Sequence, residues 1–308
     1  MKFIPSGAQY ELRSSGYTAV VTGIGASLRS LRWRDRELIV PFGLEEMRPS
    51  YRGAILAPWA NRVVDGRYSF AGVDHQLPLT EPGRGHALHG LALWLDSAVI
   101  DRDPSRVVLA MVIEPQEGYP FRVRVVVTYE LNRAGLLVNV EATNLTDGDV
   151  PFATAPHPYL VASHGPLDEW TMSLPASKVL AVTPDRLIPL DVEPVERFNG
   201  GVYDFRRPRE IGSAKMDHAF TELTRDIEGM TAVTLTDRFD RGVKMSWGTD
   251  SPWVQIHTAD VPDPLTNRLG LAVEPMSGPP DAFNSSLDHT RLSPGESRGT
   301  EWCISTIE

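Results

Sequence analysis

The chain has 308 residues, 42% of them hydrophobic and 23% charged, which is ordinary globular usage and excludes wholesale disorder. Its 30 basic and 40 acidic side chains leave a net charge of −10, which argues against non-specific nucleic-acid binding and an anionic membrane surface and favours a neutral or small polar ligand. The single cysteine, Cys303, excludes an intrachain disulfide framework and a Cys-rich zinc site, and a chain this long buries enough surface to need neither.

The N-terminal Met1-Lys-Phe-Ile-Pro-Ser-Gly lacks the apolar stretch of a secretory leader. No window approaches the ~18 apolar residues of a membrane span, so a soluble cytoplasmic protein is expected. The dominant period is two. Strand-like runs occupy residues 17–22, 28–33 and 37–40, and residues 67–70 and 73–77 form a short hairpin about Ala71-Gly72. Further runs cover 92–100 and 107–113. Residues 121–131 and 136–143 make a hairpin across a four-residue loop, Asn132 to Gly135. A third hairpin joins 230–237 to 243–247, and strands are expected at 254–257, 269–273 and 300–306. Cys303, in the last of these, reads as a small buried hydrophobe. No 12-residue stretch carries a helical stripe, and the 25 Gly and 25 Pro cluster between the runs. Residues 1–308 are therefore expected to form an all-β protein, one large antiparallel β-sandwich domain.

Several segments carry chemistry. Gly23-Ile-Gly25 begins like a dinucleotide loop but lacks the third glycine and the helix, so it reads as a strand bend. His86-Ala-Leu-His89-Gly90 places two imidazoles three apart. Zinc would need a third ligand, and the alternatives are a hydrogen-bonding imidazole in a cleft, with Gly90 letting backbone approach a ligand, or a surface histidine. His157 lies between Pro156 and Pro158, which stiffen the backbone on both sides; it is a preorganised proton-transfer group or an inert loop residue. Glu274 closes an apolar run where Pro275 is expected to stop the ladder, placing the carboxylate at a strand end facing a loop. Asn61-Arg62 sets a guanidinium beside apolar residues, and Asp217 precedes His218 between a turn and a strand.

In this order the segments resemble the aldose 1-epimerase (mutarotase) family. The matching residues are Asn61-Arg62, Gly66-x-Tyr68-x-Phe70-x-Gly72, Leu88-His89-Gly90, His157-Pro158-Tyr159, Asp217-x-x-Phe220 and Glu274-Pro275 followed by Pro280-Asp-Ala-Phe-Asn284. The likeness runs from residue 10 to about 306. It implies a large antiparallel β-sandwich with an open cleft, Glu274 as general base and His157 as general acid. It also implies Arg62, His89 and Asp217 as sugar-binding residues, with His89 able to assist at the ring oxygen. The implied partner is a small-molecule sugar, with no nucleic acid, no membrane, no metal and no cofactor, acting on a monomer or homodimer.

Anomer exchange asks for such a set. A base removes the C1 hydroxyl proton while an acid protonates the ring oxygen, and on closure the roles reverse, without hydride or phosphoryl transfer. A buried Glu raised towards ~6 and a cationic His near ~7 would be matched for this. Trp59 and Phe283 either offer rings to the sugar or belong to the core. The chain departs from the galactose-type pattern: Pro156 precedes His157 where that pattern has asparagine, Leu160-Val161 replaces Phe-Asn, and Gly90-Leu91 replaces a glycine pair. The reaction type carries over and the sugar does not. A hexose-6-phosphate 1-epimerase, using Arg52, Arg84 or Arg206-Arg207, and a non-catalytic sugar-binding module on the same fold are the alternatives.

Overall fold

The computed structural model describes residues 3–285 and 290–308. The period-two runs pair into two main antiparallel sheets because alternating apolar side chains give each strand one face to bury. The larger sheet has nine strands in the order Ala98–Arg102, Arg106–Ile113, Val123–Asn132, Gly135–Asn144, Ser297–Ile307, Gly242–Trp247, Thr231–Thr236, Thr171–Ser173, Arg209–Glu210. The second has six, in the order Tyr159–Leu160, Leu271–Met276, Trp253–His257, Asp217–Leu223, Ala176–Val182, Pro189–Pro194.

One apolar cluster fills the space between the sheets. Val125, Val127, Val138, Val140, Met245 and Ile304 enter it from the larger sheet, and Val179, Phe220, Val254, Ile256, Leu271 and Val273 from the smaller. The architecture is the expected all-β antiparallel sandwich. Trp59 and Phe283 belong to this core, 2% and 0% exposed, with ring centroids 6.1 Å apart, so neither faces a ligand. Among the described residues no helix is long and apolar enough to cross a membrane.

Four local expectations are corrected. Asn132 pairs with Gly135, so the hairpin loop is Arg133-Ala134 alone; Gly135 permits this by adopting φ +133° where a Cβ would lie 2.3 Å from the Ile304 carbonyl. Residues 92–100 are not one strand. Ala92–Trp94 is a 3₁₀ turn, because the Leu91 and Ala92 N–H groups both donate to the Ala57 carbonyl, and pairing resumes at Ala98–Arg102. Residues 37–40 leave their hairpin after Arg36–Glu37, and Val40 donates to Tyr159 of the second sheet. Cys303 is half-buried rather than in the core, because Trp302 and Ile304 take the inward positions of that strand.

Candidate active site

Pro275 does not stop its strand. Leu271–Met276 runs on past it, with Pro275 opposite Val254 and Met276 opposite Trp253. The reason is the alternation of backbone groups. Val273 donates to the Pro158 carbonyl and Ser277 to that of Thr154, so residues 273, 275 and 277 turn their N–H positions towards the His157 segment. The Trp253–His257 strand therefore requires nothing of Pro275, and Glu274 sits inside a sheet instead of at its end.

The face of this sheet turned away from the core carries the polar set. Reading across paired strands, one row is Glu274, Gln255 and Ala219; the next is Tyr159, Ala272, His257 and Asp217. The register pairing Leu160 with Leu271 and Tyr159 with Ala272, extended without slip, sets His157 opposite Glu274. The His157 backbone is held from its other side, donating to Ala54 and accepting from Gly53. A pair without mutual backbone bonds brings its side chains close. His157 Nε2 lies 3.5 Å from Glu274 Oε1, and the two residues are 4% and 2% exposed. Ala272 and Ala219 are the small residues of the two rows and leave the floor low.

Loops complete the walls. Arg62 and Leu88 pair as a short bridge, and the next residues on either side, Asn61 and His89, both adopt left-handed backbone, φ +55° and +66°. Asn61 also accepts the His89 N–H through its carbonyl. Asparagine tolerates this conformation, whereas a histidine holds it only where the surroundings impose it. The result sets the His89 ring 5.1 Å from that of His157, nearly perpendicular, with Tyr51 edge-on to His89 at 4.6 Å. Gly90, at φ +79°, admits the Ala57 carbonyl and not a ligand: a Cβ there would lie 2.1 Å from that oxygen.

Arg62 forks onto Glu81, Nε to Oε2 at 2.8 Å and Nη2 to Oε1 at 3.1 Å, and its Nη2 stands 3.7 Å from Asp217 Oδ2. Asp217 Oδ1 accepts from Gln255 Nε2 at 2.6 Å. All five residues singled out from the sequence thus come together in one polar cluster. His86 does not join them: its Nδ1 accepts from the Asp65 N–H and its Nε2 faces the Arg186 carbonyl, so both nitrogens are committed and the two-histidine metal reading fails. Among the described residues no cluster of three His, Cys, Asp or Glu side chains could hold a metal ion.

Burial decides protonation here. It raises the Glu274 carboxyl well above the usual range, Asp217 adds to the rise, and Arg62 opposes it. It also pushes His157 down to about 3, with His257 working in the same direction. His89 falls well below an ordinary histidine, through burial and then the neighbouring His157 and Arg62. For Asp217, burial would raise the pKa, but His257, Arg62 and the Gln255 amide together hold it below the ordinary value. Arg48, buried and bonded to the Leu93 carbonyl, is lowered by desolvation to about 10 and remains a cation at neutral pH. The expected imidazolium near ~7 is therefore corrected. In the free site the Glu274–His157 pair keeps its proton on the carboxyl, because separated charges cannot be solvated there.

Glu274 Oε2, Gln255 Oε1, His89 Nδ1 and His157 Nδ1 are buried with no protein partner. Buried polar atoms without partners are rare, and four in one cluster of carboxylates, imidazoles and an amide suit a ligand rich in hydroxyl groups. Sequence reasoning missed Glu81, Tyr51, Gln255 and His257. The last two alternate with Val254 and Ile256 in a strand that was recognised, so period two could have flagged them. Glu81 lies in a loop and Tyr51 ends the 3₁₀ turn Pro49–Tyr51, and neither segment carries such a signal.

The profile of the aldose 1-epimerase family matches residues 8–304. The uncharacterized protein YihR of Escherichia coli K12 is 32% identical over 292 residues, spanning 94% of this chain and 91% of that one. The galactose mutarotase of Rattus norvegicus is 30% identical over 234 residues, 68% of this chain and 64% of its own length. Among solved structures, a GalM/aldose epimerase homologue from C. elegans superposes with a TM-score of 0.84 over 98% of this chain and 99% of that one, at 20% identity, a likeness of fold.

Proposed function

The chain belongs to the aldose 1-epimerase family, and from that premise we propose that it interconverts the α and β anomers of a free aldose. The observation that carries the reading is the Glu274–His157 pair, set opposite one another at 3.5 Å and closed to solvent. An aldose bridging the two places its C1 hydroxyl at Glu274 and its ring oxygen at His157.

Glu274 takes the C1 hydroxyl proton, the O1 electron pair forms the carbonyl, the C1–O5 bond breaks, and O5 takes a proton from His157. Rotation about C1–C2 and the reverse transfers close the ring from the other face. No proton is gained or lost overall. The pair needs its single proton on His157 before ring opening. Sugar hydroxyls donating to the Glu274 carboxylate favour that form, since hydrogen bonds to a carboxylate lower its pKa. Each positioned proton transfer contributes roughly 10²–10⁴-fold. Asp217, Arg62 and His89 hold the remaining hydroxyls, and His89 stands close enough to His157 to share work at the ring oxygen.

A phosphorylated sugar finds less support. Arg84 is committed to Glu81 at 2.7 Å, and Arg206 to Asp204 and Glu196, so those guanidiniums are already neutralised. The test is polarimetry of freshly dissolved α-D-glucose, α-D-galactose and α-D-glucose 6-phosphate, with wild type and Glu274→Gln in parallel. Acceleration of a free sugar that collapses in the variant supports the reading. Acceleration of the phosphate alone replaces it with the phosphorylated reading, and saturable binding without acceleration replaces it with a sugar-binding module.

A further inference from the structure

The register that sets His157 opposite Glu274 also sets Pro156 opposite Pro275 and Thr154 opposite Ser277. Neither proline has an N–H, so the segments cannot bond through those groups immediately beside the proposed reactive pair. They rejoin three residues on. There Ser277 N–H donates to the Thr154 carbonyl at 3.0 Å, and Thr154 N–H donates to Ser277 Oγ at 2.8 Å. In a regular antiparallel pair the second bond would go to a backbone carbonyl; here a hydroxyl takes its place. On the other side of the pair, the Val273 N–H to Pro158 carbonyl bond at 3.2 Å resumes the ladder.

We propose that Ser277 is a positioning residue, whose hydroxyl clasps the His157 segment to the Glu274 strand and so sets the spacing of the two side chains. The inference rests on the epimerase reading of that pair. Packing alone would not do this work. Behind the clasp lies a cavity of about 200 Å³ lined by Phe152, Thr154, Asp250, Ser277 and Thr300, so a segment released there has room to shift. Without the hydroxyl, the Thr154 N–H, on a residue 2% exposed, would lose its partner. One backbone bond would then remain at that level, about which the segments can shear.

The test compares Ser277→Ala, Ser277→Thr and Thr300→Val by mutarotation kinetics, by the NMR resonances of the His157 ring, and by hydrogen exchange at the Thr154 amide. Thr300 lines the same cavity but takes no part in the clasp, and the cavity has space for the extra methyl of threonine at 277. In Ser277→Ala, kcat should fall roughly 10- to 100-fold with KM within about twofold, as for an ångström-scale misplacement. The His157 resonances should move and Thr154 exchange should quicken. Ser277→Thr and Thr300→Val should behave as wild type. Unchanged kcat in Ser277→Ala despite faster Thr154 exchange overturns the proposal, as does an equal loss in Thr300→Val or no rescue by threonine. If wild type accelerates no aldose, the epimerase reading fails by itself; the clasp is then judged by the His157 resonances, and their constancy in Ser277→Ala overturns it.

Discussion

Arg62 is bound to Glu81 through two parallel bonds, Nε–Oε2 at 2.8 Å and Nη2–Oε1 at 3.1 Å. Arg84 contacts the same carboxylate at 2.7 Å. Glu81 thereby fixes the plane of a guanidinium whose Nη1 donates to Asn61 Oδ1 at 3.4 Å and whose Nη2 also faces Asp217. Burial would raise the Glu81 carboxyl, but the two arginines keep it ionised below the ordinary value.

Removing this support should weaken substrate binding more than chemistry. Hydrogen bonds to charged groups contribute about 1.5–3 kcal/mol, so Glu81→Ala should raise KM on the order of 10-fold or more with a smaller change in kcat. Glu81→Gln, which keeps one acceptor, should fall between. A loss confined to kcat would contradict this role.

Glu274→Gln should separate activity from stability. Loss of the proposed base should lower kcat by roughly 10²–10⁴-fold. A carboxyl whose folded pKa is raised contributes stability below its unfolded value, near 4.5, and that contribution disappears as pH rises through the folded value. The neutral amide removes this loss. Denaturant titrations should therefore find the variant as stable as wild type near pH 4 and more stable at pH 8.

His157 has the opposite sign. Its folded pKa of about 3 lies below the ordinary 6.5, so its contribution is complete above 6.5 and disappears as pH falls towards 3. A shift of this size integrates to an effect on the order of 5 kcal/mol. A urea series from pH 7 to pH 4 should show wild type losing stability more steeply than His157→Gln. Parallel curves would place the acid sensitivity elsewhere.

Gly53 should tolerate no side chain. It adopts φ +64°, its N–H donates to the His157 carbonyl, and a Cβ would lie 1.9 Å from the Leu28 carbonyl. Left-handed strain of roughly 1–2 kcal/mol and overpacking of roughly 1–3 kcal/mol act together in Gly53→Ala. Thermal melting should show a drop of several degrees or more, with activity lost alongside, because the displaced segment holds the His157 backbone through the Gly53 N–H.

Much of the fold was visible in the alternation of residues 107–113, 121–131, 230–237 and 243–247, since one buried face per strand is a local property of sequence. Two of the misread stretches have distant backbone partners. Residues 92–100 look extended until the Ala57 carbonyl captures two of their N–H groups, and Pro275 looks like a terminator until the side on which its missing N–H falls is known. The site was legible as residue types at Arg62, His89, His157, Asp217 and Glu274. Glu81, in a loop, and Tyr51, in a short 3₁₀ turn, have no period to betray them.

By itself the sequence determined the all-β class, the strands with clear alternation, the family likeness and the five polar residues, because periodicity and motif are written in neighbouring positions; the strands Ala176–Val182, Pro189–Pro194 and Asp217–Leu223 emerged only from the fold. Tertiary structure alone decided that His157 and Glu274 stand opposite one another, that Arg62 is bound to Glu81, and that Gly90 makes room for backbone. It also decided where the proton rests. An imidazole expected near ~7 lies at about 3 because desolvation and the charges of His257 and Arg48 act on it, and those follow from chain segments that only folding brings together.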